Sequence, residues 1–238
     1  ATVSPYQHNI YMNATNGLIF EGNLLSNGGC YGIQVYPLSI NATIRRNVFV
    51  NNAALSQCVT QVVLANVGHL FENNVMYLNG RSEQVGLRVQ YGNAAPSNIT
   101  IRNNTFYNTG SQGIFLASTT SNITVINNIV LGSTTAIQND GTGNTITNNL
   151  TTGTATDVFV NPAAFDLTLK AGSSAINSGT IIAGKAFCGS LPDRGAFETP
   201  EVTAASINGN TLDVTVCSAF PPVRPLGTWT PACTGTGC

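Results

Sequence analysis

Ile101-Arg102-Asn103-Asn104-Thr105-Phe106 decides the fold, because it recurs along the chain. The other copies are Phe20-Glu21-Gly22-Asn23-Leu24-Leu25, Ile44-Arg45-Arg46-Asn47-Val48-Phe49, Phe71-Glu72-Asn73-Asn74-Val75-Met76, Val125-Ile126-Asn127-Asn128-Ile129-Val130 and Ile146-Thr147-Asn148-Asn149-Leu150-Thr151. The second Asn is constant: Asn23, Asn47, Asn74, Asn104, Asn128 and Asn149. Successive copies lie 24, 27, 30, 24 and 21 residues apart. A unit this short cannot bury its own apolar face, so it stacks on its neighbours, and a fixed period of this length indicates a solenoid.

Each turn from His8 to about Gly153 shows a second apolar segment as well. These are Asn9-Ile10-Tyr11-Met12, Gly32-Ile33-Gln34-Val35, Gln61-Val62-Val63-Leu64, Gly86-Leu87-Arg88-Val89, Gly113-Ile114-Phe115-Leu116 and Ala136-Ile137-Gln138-Asn139. Alternation within both segments predicts two short strands per coil, each with one face inward. Equivalent residues on successive coils then sit about 4.8 Å apart, one sheet spacing. Phe20, Ile44, Phe71, Ile101, Val125 and Ile146 form one inward column, and Leu25, Phe49, Met76, Phe106 and Val130 another. A stacked column of side-chain amides satisfies the backbone groups of a buried turn, since each amide both donates and accepts.

The repeat with its Gly-Ile-x-Val partner resembles that of the pectate-lyase-like superfamily of right-handed parallel β-helices, over about residues 8–153. Phe165 to Gly179, with Ser174-Ala175-Ile176-Asn177-Ser178-Gly179, followed by Asp193-Arg194-Gly195-Ala196-Phe197-Glu198, is similar to the closing segment of secreted bacterial β-helix proteins. That pattern reads Ser-Pro-Ala-Ile-Asp-x-Gly … Asp-Ile-Gly-Ala-Phe-Glu; here Ser174 replaces Pro and Asn177 replaces Asp. The resemblance implies an all-β, right-handed parallel β-helix over residues 1–198, with 154–198 as the last coil and its cap. It does not select an activity, because lyases, hydrolases, epimerases and adhesins share the fold. Residues 199–238 are expected to form a small disulfide-bearing β tail, with a hairpin from Val202 to Val216 turning at Asn208-Gly209.

Composition narrows the function classes. Only 8% of the 238 residues are charged and the net charge is −1, so no field attracts nucleic acid or an anionic membrane. No apolar run reaches the roughly 20 residues of a membrane span. Six cysteines with few lysines suggest an oxidising compartment, hence a secreted or cell-surface protein. Their spacing fits no zinc site. Cys30 and Cys58 fall in nearly the same column on neighbouring coils and are expected to pair. Cys188, Cys217, Cys233 and Cys238 allow three pairings, of which Cys188–Cys217 with Cys233–Cys238 is the expected one.

Candidate chemistry lies in few places. Glu21, Arg45, Glu72 and Arg102 share one outward register and are expected to form a cross-coil ion-pair ladder. The two acids, two coils and about 9.6 Å apart, are poorly placed for glycoside hydrolysis. Tyr11, Tyr36 and Tyr91, with Arg88, fall near one edge of a sheet and are glycan-binding candidates. Arg81 and Glu83 lie in the longest coil beside them, where loops carry function. The resemblance implies that a lyase would use an Arg or Lys as base, and Arg88 and Arg102 are the residues to test. Neither a calcium-binding acidic cluster nor a lysine before Lys170 is present, and no cofactor or metal is expected. His69 alternates inward with Phe71 as a core histidine, and His8 has no evident partner. Asn13, Asn41, Asn98, Asn103, Asn122 and Asn149 stand in Asn-x-Ser/Thr sequons, of which Asn41, Asn98 and Asn122 lie at coil turns.

The first coil starts almost at once, so its strand edges need a cover: residues 1–7, chain upstream, or another chain. The favoured reading is a secreted structural or adhesive β-helix with glycan contacts, self-associating head to tail with the tail of one subunit over the open end of the next. The alternative is a polysaccharide lyase or related carbohydrate-active enzyme.

Overall fold

The computed structural model describes residues 7–53, 58–78, 83–208 and 211–217, with the backbone alone over 202–217. Successive coils pair in parallel throughout, and each coil has three sides rather than the two expected. The first side comprises Ile10–Met12, Ile33–Val35, Thr60–Leu64, Val85–Val89 and the ends of the long strands Thr105–Leu116 and Ile129–Asn139. The second comprises Ile19–Glu21, Thr43–Arg45, Leu70–Glu72, Thr100–Arg102, Thr124–Ile126 and Thr145–Thr147. The third comprises Leu24–Ser26, Val48–Val50, Val75–Tyr77 and the beginnings of the two long strands. The predicted register holds, with Ile101 level with Phe71 and Val125, and Phe106 level with Met76 and Val130.

The repeat was expected to be one strand, but its Asn pair is a corner between two sheets. The first member of each pair turns the chain, with left-handed backbone at Gly22, Arg46, Asn73, Asn103, Asn127 and Asn148 (φ 71°, 55°, 52°, 50°, 57° and 50°). Asn accepts that conformation more readily than other L residues. The second member forms the ladder. Its Nδ2 donates to the Oδ1 of the next Asn from Asn23 to Asn149, at 3.0, 3.1, 3.1, 2.9 and 2.9 Å. The same Oδ1 atoms accept the backbone N–H groups of Asn23, Asn47, Asn74, Asn104 and Asn128. Inside the corner lies one continuous apolar core, with Phe49, Phe71, Phe106, Ile44 and Ile101 fully buried. Each such side chain stabilises the fold by roughly 1.5–3 kcal/mol.

The segment expected to cap the last coil does something else. It folds back along the outside of the corner as a strap. Asn148 donates to Ser178 O (3.0 Å), Asn127 to Thr180 O (2.8 Å), Asn103 to Asp193 O (3.2 Å) and Asn73 to Ala196 O (3.2 Å). The Thr180 N–H returns a bond to Asn127 Oδ1 at 2.9 Å, and the Gly195 N–H one to Asn127 O at 2.8 Å. The first Asn of each pair thus both turns the corner and holds the strap. Upstream, the helix Ala155–Val158 and the antiparallel strands Phe159–Asn161 and Asp166–Leu169 cover the third side. There Val158, Phe159 and Leu167 bury Val48, Val50, Val75, Ile129 and Leu131 in a second apolar cluster. The third side is therefore apolar on both faces, as strands buried on both sides require. The last coil keeps its second side open by comparison: Ile146 is 39% exposed.

The strap ends in a knot of carboxylates. Asp193 accepts N–H bonds from Asn177 and Thr199, both at 2.7 Å. Glu198 accepts from the Asp193 and Cys188 N–H groups at 2.9 and 3.3 Å. Burial pushes the Glu198 carboxyl up to about 7, with neighbouring Asp193 adding to the rise and the two N–H groups and Lys185 opposing it. Beyond it, Glu201–Asn208 and Thr211–Cys217 form the expected antiparallel hairpin; its Asn208-Gly209 turn falls partly outside the described residues.

Candidate functional site

The expected charge ladder resolves into two clusters. Glu21 pairs with Arg45 (Nε–Oε2 2.7 Å) and with Arg46. Arg102 pairs with Glu72 (2.9 Å), which Lys185 of the strap also reaches at 3.1 Å. Glu72 is only 8% exposed, so this stripe does not meet solvent through all four coils as expected; the strap covers its far half. Burial pushes the Glu72 carboxyl up, but Lys185 and Arg102 outweigh it and hold it below the usual range. Arg102 and Arg88 lie in different sheets, so the two arginines marked for a lyase form no common site.

The other candidates converge. One outward register of the first side runs Tyr11, Gln34, Val63, Arg88, Phe115, Gln138 across six coils. Loops flanking that register bring Tyr36 within 4.8 Å of Tyr91, ring to ring, and Tyr91 within 6.1 Å of Tyr31. Tyr31 stacks on His8 at 4.8 Å, and His8 lies 5.9 Å from Tyr11. Tyr11, Tyr36 and Tyr91 therefore belong to a single aromatic face, and Tyr11 is 51% exposed. Gly92 is fitted to it: at φ 55° it lets the turn pass Tyr36, and a Cβ there would lie 3.3 Å from the Tyr36 hydroxyl.

Arg88 supplies the positive charge of this face. Its guanidinium sits 4.9 Å from the Phe115 ring centroid and donates to Gln90 Oε1 at 3.0 and 3.3 Å, with no carboxylate among its described partners. Gln112 donates to Gln138 Oε1 (3.0 Å), and Gln138 to Asp140 Oδ2 (2.9 Å), adding amides at the far end. Rings that present flat apolar faces beside amide donors and a cation suit the apolar faces and oxygens of sugars.

Neither His8 nor Tyr31 is set up as a base here. Burial lowers the His8 pKa, and its Nδ1 accepts the Tyr31 N–H (3.4 Å), which leaves the neutral ring's proton on Nε2. Burial, reinforced by Tyr91 and opposed by Arg88, pushes the Tyr31 hydroxyl up to about 12. Among the described residues no group of three or more His, Cys, Asp or Glu is gathered to hold a metal.

His8 and Tyr31 escaped the sequence reading. His8 was expected to lack a partner, but stacks on Tyr31 because Cys30 holds that loop. Cys30 and Cys58 are bonded as expected, with Cα atoms 4.9 Å apart, and the Cys30 N–H donates to Gln7 O at 2.9 Å. An aromatic residue beside a disulfide cysteine was the available signal. Cys188 is also disulfide-bonded. The side chains of Cys217, Cys233 and Cys238, with Arg81, lie outside the described residues, as does most of the tail expected to cover a neighbouring subunit.

The remaining sequence candidates fall elsewhere. His69 is a core histidine, 1% exposed, accepting the Ala42 N–H on Nδ1 (3.1 Å) with Nε2 against Ala65 O (2.7 Å). Asn41, Asn98 and Asn122 are exposed, but Asn41 donates to Asn16 (3.0 Å) and Asn122 to Asn98 (2.5 Å) in a surface ladder of their own. A glycan on Asn41 or Asn122 would replace those bonds.

Among the described residues no helix is long and apolar enough to cross a membrane. No curated protein sequence matches the chain. Among solved structures, the crystal structure of pectate lyase Pel9A is similar over 80% of this chain and 67% of its own, at 13% identity and a TM-score of 0.43. Residues 56–151 match the family model described as a right handed beta helix region. Taken with the stacked parallel coils and their Asn ladder, that match identifies the fold of the chain as a right-handed parallel β-helix.

Proposed function

We propose that this chain is a secreted or surface β-helix that holds a carbohydrate polymer against the aromatic face of its first side. One observation carries the reading: Tyr11, Tyr31, Tyr36, Tyr91 and His8 form a connected cluster beside Arg88, which has no carboxylate among its described partners. Sugar rings stack on such faces, and Arg88 favours a polymer bearing carboxylates. The role is adhesive: a neutral, Nε2-protonated His8 and an un-ionised Tyr31 supply no base for elimination. The disulfide between coils one and two fits an extracellular setting.

A lyase at the same face is the second reading, favoured by the same Arg88. Calorimetry with polygalacturonate, alginate and a neutral glucan, run beside absorbance of unsaturated products, separates them. Binding of a carboxylated polymer with no rise in absorbance supports adhesion. A rise that Arg88→Ala abolishes supports the lyase. Binding of no polymer, or equal binding by Tyr91→Ala and Arg88→Ala variants, overturns both.

A further inference from the structure

The strap places an amine against an amide in a nearly closed site. Lys185 Nζ lies 2.6 Å from Asn73 Oδ1 and 3.1 Å from Glu72 Oε2, and its side chain is 11% exposed. The amide is fixed from its other end, because Asn73 Nδ2 donates to Ala196 O (3.2 Å) on the strap itself. Asn73 is 6% exposed, and its left-handed backbone (φ 52°) holds the side chain outward under the strap. Amine, amide and carboxylate are thus held at hydrogen-bond range with water largely excluded, the arrangement in which an intramolecular reaction gains most from proximity.

We propose that Lys185 and Asn73 join in an intramolecular isopeptide bond, with the Glu72 carboxylate as proton carrier. Glu72 takes a proton from the Lys185 ammonium, leaving a neutral amine. The Nζ lone pair attacks Asn73 Cγ, and the Nζ–Cγ bond forms as the carbonyl π pair moves to Oδ1. The Arg102 guanidinium, 2.9 Å from Glu72 Oε2, holds the carboxylate in place for both proton transfers. The pair returns and the Cγ–Nδ2 bond breaks as Glu72 delivers its proton to Nδ2; the regenerated carboxylate then passes the surplus Nζ proton to the departing ammonia, which leaves as ammonium. No oxidant, reductant or co-reactant is consumed; the products are a secondary amide and ammonium, so the chain loses the mass of one ammonia. Burial lowers the Lys185 pKa against the pull of Glu72, which eases the first step. The bond would close a loop of 112 residues and lock the strap to the third coil. It is independent of the carbohydrate reading.

The test is the intact mass of the full folded chain after disulfide reduction, followed by peptide mapping. The expected mass is one ammonia below the sequence mass, with the Lys185 and Asn73 peptides recovered as one branched species. Lys185→Arg and Asn73→Ala should restore the full mass, and so should wild type kept in denaturant from synthesis onward. Glu72→Gln, shown folded by circular dichroism, should lose ammonia at least tenfold more slowly. A folded wild type at full mass overturns the proposal. So does an ammonia loss that maps elsewhere, such as a succinimide at Asn208-Gly209.

Discussion

The third side of the coil and the first side are built from the same short parallel strands, yet they treat their outer faces in opposite ways. On the third side the outward residues are Val48, Val50, Val75, Ile129 and Leu131, sealed beneath Phe159 and Leu167. On the first side the outward register carries Tyr11, Gln34, Val63, Arg88, Phe115 and Gln138; Gln34 and Val63 are buried, whereas Arg88, Phe115 and Gln138 are half-buried and Tyr11 is 51% exposed. The inner faces are alike, so the two sides differ in their outer faces. A face that must hold a strap is apolar and lined with Asn corners. The first side keeps rings, amides and the Arg88 cation partly exposed.

The difference can be broken most sharply with two phenylalanines. Phe159→Ala should destabilise the protein by roughly 3–5 kcal/mol, because a fully buried ring leaves a cavity. Phe115→Ala, half-buried on the open face, should cost about 1 kcal/mol or less; urea denaturation of both variants gives the comparison directly. Next come two asparagines that share a left-handed backbone. Asn127→Ala strands the Thr180 N–H and loses a bond to Asn148, and should cost roughly 2–4 kcal/mol. Asn122→Ala, an exposed corner without a strap, should cost only about 1–2 kcal/mol, the backbone term.

Acid should tighten the strapped side. The folded Glu198 carboxyl sits at about 7 against an ordinary 4.5. The stability it contributes is fully present below about 4.5 and is lost as the pH rises through 7. Limited proteolysis within 178–198 should therefore speed up between pH 5 and about pH 8, and Glu198→Gln should flatten that dependence. The smallest effect falls on the open side: Tyr91→Ala should leave the melting temperature nearly unchanged while weakening polymer binding a few-fold to about tenfold. Calorimetry and thermal melts on the same samples check both halves.

Much of this was legible in the repeat. A period of 21–30 residues anchored on one Asn placed Phe71, Ile101 and Val125 in one column and Cys30 opposite Cys58, because stacking leaves no freedom of register. The two roles of the Asn pair were not separable by eye, since turning a corner and bridging coils both favour Asn. The strap was missed although its signal was present. Val48-Phe49-Val50, Val75-Met76-Tyr77 and Ile129-Val130-Leu131 do not alternate, and a strand apolar on both faces needs a second layer. Tyr31 and His8 lie in a stretch without period, so only the folded chain brings them to Tyr91. Lys185 could not be placed, because nothing local ties it to a residue 112 positions away.

Deuterium exchange read by peptide mass, with and without a carboxylated polysaccharide, tests the contrast between the two sides most directly. The account predicts slow exchange in the free protein at Thr180, Gly195 and Ala196, whose N–H groups are bonded to Asn127 and Thr105. It further predicts that the polymer adds protection over 31–36 and 85–92 alone. A strap that exchanges as fast as a free peptide, or protection by the polymer over 178–198 in place of the aromatic face, would contradict it.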